Sequence, residues 1–199
     1  MRISARAALL ALFAGTCAWA GGPAPLPALP RVYVNPDPAP IADFTLTDQY
    51  GKARRFSSLQ GQPALVFFGF THCPNVCPTQ LGRLKLLHES GNGALKPVRI
   101  VLVSVDGARD TPARLRSFLG PLSADFVGLT GDPKATSGIA ARFAAVFFKE
   151  PAAKDGSYNV MHSTQVFAVD KAGRLRASFN DASIEDMATI AGLLLAEPG

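Results

Sequence analysis

The sequence predicts an α/β sandwich of the thioredoxin-like class, with a central mixed sheet, an N-terminal extension and an insertion before a C-terminal hairpin. Two short apolar runs, at 64–70 and 98–105, flank an amphipathic stretch at 78–90, and a hairpin pattern near the C-terminus precedes a last helical segment. Short apolar runs joined by an amphipathic helix are typical of parallel strands buried on both faces. The order βαβ, helix, β-hairpin, helix therefore favours the thioredoxin-like arrangement.

The first 20 residues predict an export signal. Arg2 and Arg6 supply positive charge with no acid, an apolar stretch follows, and small residues suit cleavage after Ala20. An uncleaved anchor and lipidation at Cys17 are the alternatives, although the apolar run 7–20 is shorter than the roughly 20 residues that a membrane-spanning helix needs. Cleavage would leave Cys73 and Cys77 as the only cysteines of the mature chain.

Composition predicts one folded domain behind a tail. Of 199 residues, 48% are hydrophobic, which is enough for a sizeable core. The net charge of +5 comes from 20 basic and 15 acidic residues scattered along the chain, so no basic block indicates nucleic-acid binding. We expect a signal peptide or short anchor at 1–20, a proline-rich linker at 21–40 and a monomeric domain at 41–199.

The helix between the two buried strands is predicted over 78–90. Leucines recur there at three-residue intervals, Leu86 is expected to widen this apolar stripe, and the chain leaves through Gly91. Strand, helix and strand then form a right-handed crossover unit.

The remaining elements follow from caps and turns. Thr111, Asp132 and Ser183 each precede a helical pattern and are predicted N-caps. The helix that follows Asp132 is expected to continue through residue 145. The other expectations are a strand and hairpin at 44–52, a weak strand at 126–129, an extended segment at 146–149, a polar excursion at 151–159, and hairpin strands at 166–169 and 175–179.

Cys73 and Cys77 directly follow a predicted strand and lie at the start of a helix. Free backbone N–H groups and the helix dipole stabilise a thiolate there, so we expect the pKa of both thiols to fall. Their spacing gives about 6 Å of helical rise, within the roughly 4.4–6.8 Å that separates Cα atoms in a disulfide. The pair therefore predicts a structural disulfide, a reactive dithiol or a chelate for a soft ion such as Cu(I) or Zn.

Three histidines could complete a metal site. His72 is expected to be a partly exposed residue at a strand end, and His88 is expected to be solvated. His162 precedes the first hairpin strand, in a loop that faces the cysteine-bearing helix start in a thioredoxin-like sheet, so a structural role and a ligand role are both open. Thioredoxin-type oxidoreductases place a cis-proline in this loop, but 160–166 contains no proline, which favours metal binding over disulfide exchange.

A charged cluster follows the second buried strand. Asp106, Arg109 and Asp110 are expected to fix the loop before Thr111 through an arginine–carboxylate pair, with a direct metal role as the alternative.

Several separated motifs resemble the Sco/SenC family of copper chaperones for cytochrome c oxidase, from about residue 44 to the C-terminus. The resemblance rests on the segment 69–78 with its Cys-x-x-x-Cys-Pro core, on 105–111, on 128–131 and on His162. It implies a thioredoxin-like domain that binds copper through Cys73, Cys77 and His162, preferring Cu(I) and also accepting Cu(II). The copper would be delivered to the CuA centre of cytochrome c oxidase subunit II.

The chain departs from this family at three positions near the motifs. Asn75 stands where many members have Asp, Gly107 where they often have Pro, and Met161 where many have Asp. A carboxylate next to the site would change its local charge, so these departures affect the tuning of copper affinity and partner docking. Met161 is expected in the core, with a thioether ligand as the alternative.

The resemblance also implies a location and a rival activity. It places the protein in the periplasm or on the outer face of the cytoplasmic membrane, with other copper chaperones or thiol reductants as further partners. The rival is a thiol-disulfide reductase that uses Cys73 and Cys77 to keep the CuA-ligand cysteines reduced; no other catalytic residue is expected. A peroxiredoxin-like peroxidase is disfavoured, because Pro-x-x-x-Thr-x-x-Cys precedes neither cysteine, and a purely structural exported domain would hold a stable disulfide.

Overall fold

The computed structural model describes residues 22–198, so the predicted export signal and Cys17 lie outside the described residues. The strands are β1 (Val32–Val34), β2 (Thr45–Asp48), β3 (Ala53–Arg55), β4 (Ala64–Gly69), β5 (Arg99–Ser104), β6 (Val127–Thr130), β7 (Phe147–Lys149), β8 (Val160–His162), β9 (Val166–Val169) and β10 (Leu175–Phe179). The helices are α1 (Val76–Gly93), α2 (Pro112–Leu119), α3 (Pro133–Ala141) and α4 (Ile184–Ala196), and a 3-10 turn spans Phe56–Leu59.

Eight strands form one mixed sheet in the order β1-β10-β9-β4-β5-β6-β2-β3, and β7 pairs with β8 in a separate ribbon. The central strand β4 runs parallel to β5 and antiparallel to β9. Every residue of β4 and β9 is buried, as expected for strands covered on both faces. The thioredoxin-like fold class is confirmed, including the crossover unit and the β9–β10 hairpin.

The core lies on both faces of this sheet and is rich in phenylalanine. Phe68, Phe143 and Phe167 meet edge to face, with ring centroids 5.2–5.9 Å apart. This geometry aligns the positive ring edges with the negative ring faces. Helices α1 and α4 contact each other, and α2 packs beside β6.

All three predicted N-caps are confirmed. Thr111 Oγ1 accepts a hydrogen bond from the N–H of Arg114, Asp132 from those of Lys134 and Ala135, and Ser183 Oγ from that of Asp186. Each bond satisfies N–H groups that have no partner within the helix.

Two helical expectations are wrong, and a third is wrong only at its start. Helix α1 begins before residue 78, but its regular part breaks at 90–92 and the chain leaves it at Gly91 as predicted, with a left-handed φ of 57°. Helix α3 ends at Ala141 instead of continuing through 145, because Ala144 takes a left-handed φ of 57° that a helix excludes. Leu86 is 59% exposed, since one residue turns a helix by about 100° away from the buried stripe.

The described part of the proline-rich segment lies along the domain. Its strand β1 pairs antiparallel with β10 and extends the sheet by one edge strand. The buried guanidinium of Arg176 donates to the carbonyl of Ala24 and to the carboxylates of Asp170 and Glu197. Those bonds tie the segment to the hairpin and to the end of α4.

Within residues 22–198, no helix combines the length and the apolar composition that a bilayer crossing requires.

The neighbours Leu86 and Leu87 provide a matched test of the α1 packing. Leu87 is fully buried whereas Leu86 faces solvent, so Leu87→Ala should lower the free energy of unfolding by about 2–5 kcal/mol. The control Leu86→Ala should change it by about 0.5 kcal/mol or less. Urea unfolding followed by circular dichroism measures both, and equal losses would contradict this orientation of α1.

Candidate metal centre

The structure brings the three predicted ligands together at one end of the sheet. Cys73 lies in the loop after β4, Cys77 lies in the first turn of α1, and His162 is the last residue of β8. The sulfur of Cys77 is 3.6 Å from Nε2 of His162, and one ligand atom from each of the three residues lies within 4.8 Å of the others. This cluster could hold a metal ion.

Backbone hydrogen bonds orient both sulfurs. The N–H of Cys77 points at the sulfur of Cys73 at 3.4 Å, and the N–H of Phe70 points at the sulfur of Cys77 at 3.5 Å. The first bond uses one of the free N–H groups at the start of α1. The position of the pair between a strand end and a helix start therefore fixes where each sulfur lies.

The imidazole of His162 turns one particular nitrogen towards the sulfurs. Its Nδ1 lies 2.9 Å from the carbonyl oxygen of Ser163. Because a carbonyl only accepts, Nδ1 carries the hydrogen and the lone pair of Nε2 faces Cys77. Phe67 and Phe70 contact the ring edge to face, with centroids 5.9 and 5.7 Å away. The ring is thus held with an unprotonated nitrogen facing the sulfurs.

The two thiols differ in acidity, so the prediction that both pKa values fall is wrong for Cys77. Partial burial works against the Cys73 thiolate, but hydrogen bonds from the N–H of Cys77, from its thiol and from the N–H groups of Asn75 and Val76 outweigh it and lower the Cys73 pKa. Burial raises the pKa of Cys77 far above its usual range, despite the opposing N–H of Phe70, and the neighbouring Cys73 raises it further. Cys73 is the outer, more acidic thiol and Cys77 the inner, protonated one.

Burial also keeps His162 neutral. Loss of solvation lowers the pKa of its imidazole below the usual 6.5, and the bond to the Ser163 carbonyl only partly opposes this. A neutral imidazole is the form that binds metals.

The other two histidines lie outside the cluster. His72 is partly exposed, as predicted, with Nδ1 3.2 Å from Thr71 Oγ1 and 3.5 Å from Asp110. The prediction that His88 is solvated is wrong: it is 4% exposed, and its Nε2 lies 2.9 Å from the carbonyl of Lys96. The chain reverses at the end of α1 and covers the ring, which the helical pattern alone does not show.

A buried carboxylate holds the loop that carries Cys73. Asp110 accepts hydrogen bonds from the N–H of Thr71 at 3.0 Å, from its hydroxyl at 2.6 Å and from Ser104 Oγ at 2.7 Å. Arg109 pairs with Asp106 as predicted. The cluster after β5 therefore positions the site and its carboxylates are outside the donor set.

Tyr158, which was not among the residues expected at the site, connects this cluster to the strand that carries His162. Its hydroxyl donates to Asp106 at 2.9 Å, and the guanidinium of Arg109 lies over its ring, 3.7 Å from the centroid. The ammonium of Lys149 lies 3.6 Å from the same centroid. No local pattern marks Tyr158, because its partners lie about 50 residues away or across the β7–β8 ribbon.

The site opens into a surface cavity of about 290 Å³. Its lining includes Cys73, Val76, Met161 and His162. The expectation that Met161 belongs to the core is wrong, since 47% of it is exposed. Side chains alternate along a strand, so Met161 is exposed at the cavity while its neighbour His162 takes the buried side of β8.

Comparison with known proteins agrees with this architecture. The sequence pattern of the SCO1/SenC family matches residues 35–194. SenC of Rhodobacter capsulatus is 35% identical over 158 residues, which cover 76% of this chain and 69% of SenC. An SCO2-like protein of Rickettsia felis is 32% identical over 148 residues, covering 73% of this chain and 72% of that protein.

Solved structures are similar as well. Copper-bound ScoI of Bradyrhizobium japonicum superposes with a TM-score of 0.68 at 35% identity, covering 77% of this chain and 98% of ScoI. Apo Sco1 of Thermus thermophilus superposes with a TM-score of 0.66 at 34% identity, covering 82% of this chain and 91% of Sco1. Because the matched span contains the whole cysteine and histidine cluster and most of the sheet, this chain belongs to the SCO1/SenC family.

Proposed function

We propose that this chain is an exported copper metallochaperone that delivers copper to the CuA centre of cytochrome c oxidase subunit II. The observation that carries the proposal is the convergence of two cysteine sulfurs and one imidazole nitrogen within 4.8 Å. Membership of the SCO1/SenC family and the likeness to a copper-bound ScoI support copper as the ion.

The donor set fits Cu(I) better than a hard cation. Two thiolates and one neutral imidazole are soft or intermediate ligands, which suit Cu(I), and Cu(II) is also accepted by imidazole. The buried carboxylate of Asp110 already accepts three hydrogen bonds and lies outside the cluster. Mg²⁺ and Ca²⁺ would find too few oxygen ligands among these groups.

The unequal burial of the two thiols suits release by ligand exchange. Cys73 lines the cavity and is half-buried, whereas Cys77 is fully buried. A thiolate of the acceptor can approach copper on the Cys73 side and form its bond as the bond to Cys73 breaks. Copper stays in the +1 state during that exchange, so no electron donor is needed.

The location and partners belong to the same proposal. The predicted export signal would place the domain in the periplasm or at the outer face of the cytoplasmic membrane, as a monomer. Other copper chaperones would load it, and thiol reductants would keep Cys73 and Cys77 able to bind, because a disulfide offers no thiolates.

A thiol-disulfide reductase is the second candidate, favoured by the pairing of an acidic outer thiol with a buried inner thiol. Cys73 and Cys77 are both free. The Cys73 thiolate would attack an acceptor disulfide, and Cys77 would then displace the second acceptor thiol. The chain would lose two electrons and two protons as its own disulfide formed, and the acceptor would gain them.

Substitution of His162 separates the two candidates. In anaerobic titrations of the reduced protein with Cu(I) against a competing chelator, His162→Ala and Cys73→Ala should each weaken binding about 100-fold or more, since even outer contacts of a metal site are worth 10–100-fold. His72→Ala is the matched control and should bind as the wild type does. His162→Ala should leave dithiol exchange largely intact, and wild-type affinity in both ligand variants would exclude the proposed site.

The thiol asymmetry predicts selective alkylation. At pH 7 the retained Cys73 of Cys77→Ser should react with iodoacetamide at least about tenfold faster than the retained Cys77 of Cys73→Ser, because the thiolate is the nucleophile and Cys77 stays protonated and buried. Peptide mass spectrometry reads each cysteine separately. The same comparison in urea is the control, where the two rates should converge; equal rates in the folded protein would contradict the asymmetry.

Copper affinity should rise with pH. The folded-state pKa of Cys77 lies above the neutral range, so Cu(I) must displace its proton, and affinity should rise about tenfold per pH unit for each proton released. Burial lowers the His162 pKa, so its imidazole contributes less to that slope than Cys77 does, and less still as pH rises. Competition titrations from pH 6.5 to 8 measure the slope, and a flat profile would show that Cys77 does not bind as a thiolate.

A further inference from the structure

The cavity at the metal centre is lined by a residue with a third sulfur, which the three-ligand site does not use. Met161 immediately precedes His162 and lines the same cavity as Cys73. It is 47% exposed, whereas Cys77 is fully buried. The four side chains therefore form a gradient of burial, with Met161 and Cys73 at the solvent side and Cys77 with His162 behind them.

The chemistry of Met161 suits a role with copper. A thioether is a soft, uncharged ligand that selects Cu(I), and it needs no deprotonation at any pH. Methionine is unbranched and flexible, so its sulfur can move at a cavity mouth where a branched side chain would be held rigidly. In the β7–β8 ribbon Met161 pairs with Phe148, which is 62% exposed, so the methionine is not packed under other side chains.

We propose, on the basis of the copper-carrying function above, that Met161 is an outer thioether ligand that receives Cu(I) together with Cys73 before the ion moves inward to Cys77 and His162. The ion leaves by the same route. The donor's ligands are released as the bonds to Met161 and Cys73 form, and the bond to Met161 then breaks as the inner bonds form. Copper remains Cu(I) throughout, and the Cys77 proton passes to solvent.

Methyl NMR of the full chain tests contact between the ion and Met161 directly. The sequence has three methionines, and Met187 is fully buried in the core, so its ε-methyl signal serves as an internal control. With ¹³C-methyl methionine, Ag(I) as a redox-inert substitute for Cu(I) should shift the Met161 signal of His162→Ala, where the inner site is incomplete and the ion stays at the outer ligands, and should leave the Met187 signal unchanged. In the wild type at saturation the ion has moved inward, so the Met161 signal should shift less.

The rate of Cu(I) uptake tests whether Met161 assists loading. Met161→Leu keeps the apolar volume and removes the sulfur, and such swaps are well tolerated. It should slow Cu(I) uptake from a chelator complex by about fivefold or more, while equilibrium affinity changes by less than about twofold. Phe148→Leu alters the paired apolar side chain without removing sulfur, and it should load at the wild-type rate.

The two proposals fail in different ways. If the wild-type chain takes up no Cu(I), the copper-carrying function itself is wrong. If the wild type loads but the Met161 methyl of His162→Ala does not shift with Ag(I), or Met161→Leu loads at the wild-type rate, only the outer-ligand role is overturned. Equal slowing by Phe148→Leu and Met161→Leu would show that the exposed pair of side chains acts through apolar contact. That result also overturns the outer-ligand role.

Discussion

The antiparallel pairing of β4 with β9 is the constraint on which the site depends. Phe67 of β4 lies opposite Val166 of β9, so the end of one strand meets the beginning of the other. Cys77 follows the first strand and His162 precedes the second, and 85 residues of sequence close to a 3.6 Å contact. A slip of one residue in this register would turn alternate side chains to the other face and separate the imidazole from the sulfurs.

Burial by the same sheet creates the chemical difference between the two thiols. The helix start offers N–H groups to the sulfur of Cys73, where they prevail over partial burial and lower the pKa. Cys77 lies deeper, between the end of β4 and α1, and there the cost of burying a charge outweighs the single N–H of Phe70. Position in the fold, more than the Cys-x-x-x-Cys spacing, therefore decides which thiol ionises.

Local signals were sufficient to predict much of the fold. The buried strands, the β9–β10 hairpin and the caps at Thr111 and Ser183 depend on residues close in sequence, and the structure confirms them. The burial of His88 and the exposure of Met161 depend on which distant segments cover each residue, and periodicity within one element does not report that. The three candidate ligands were identifiable because motif order and fold class together place His162 opposite the cysteines.

A carrier must hold its ion firmly and still release it, and these demands conflict at a single ligand. In the proposed site they are divided between candidate ligands of different depth. Phe67 and Phe70 cover the ring of His162 and Cys77 is fully buried, which limits access of water and competing ligands. Cys73 faces the cavity, where an acceptor can reach it. In the proposed carrier Cys73 lies on the open side and Cys77 and His162 lie behind it, so the ion can change partners at Cys73 while the inner pair keeps it bound.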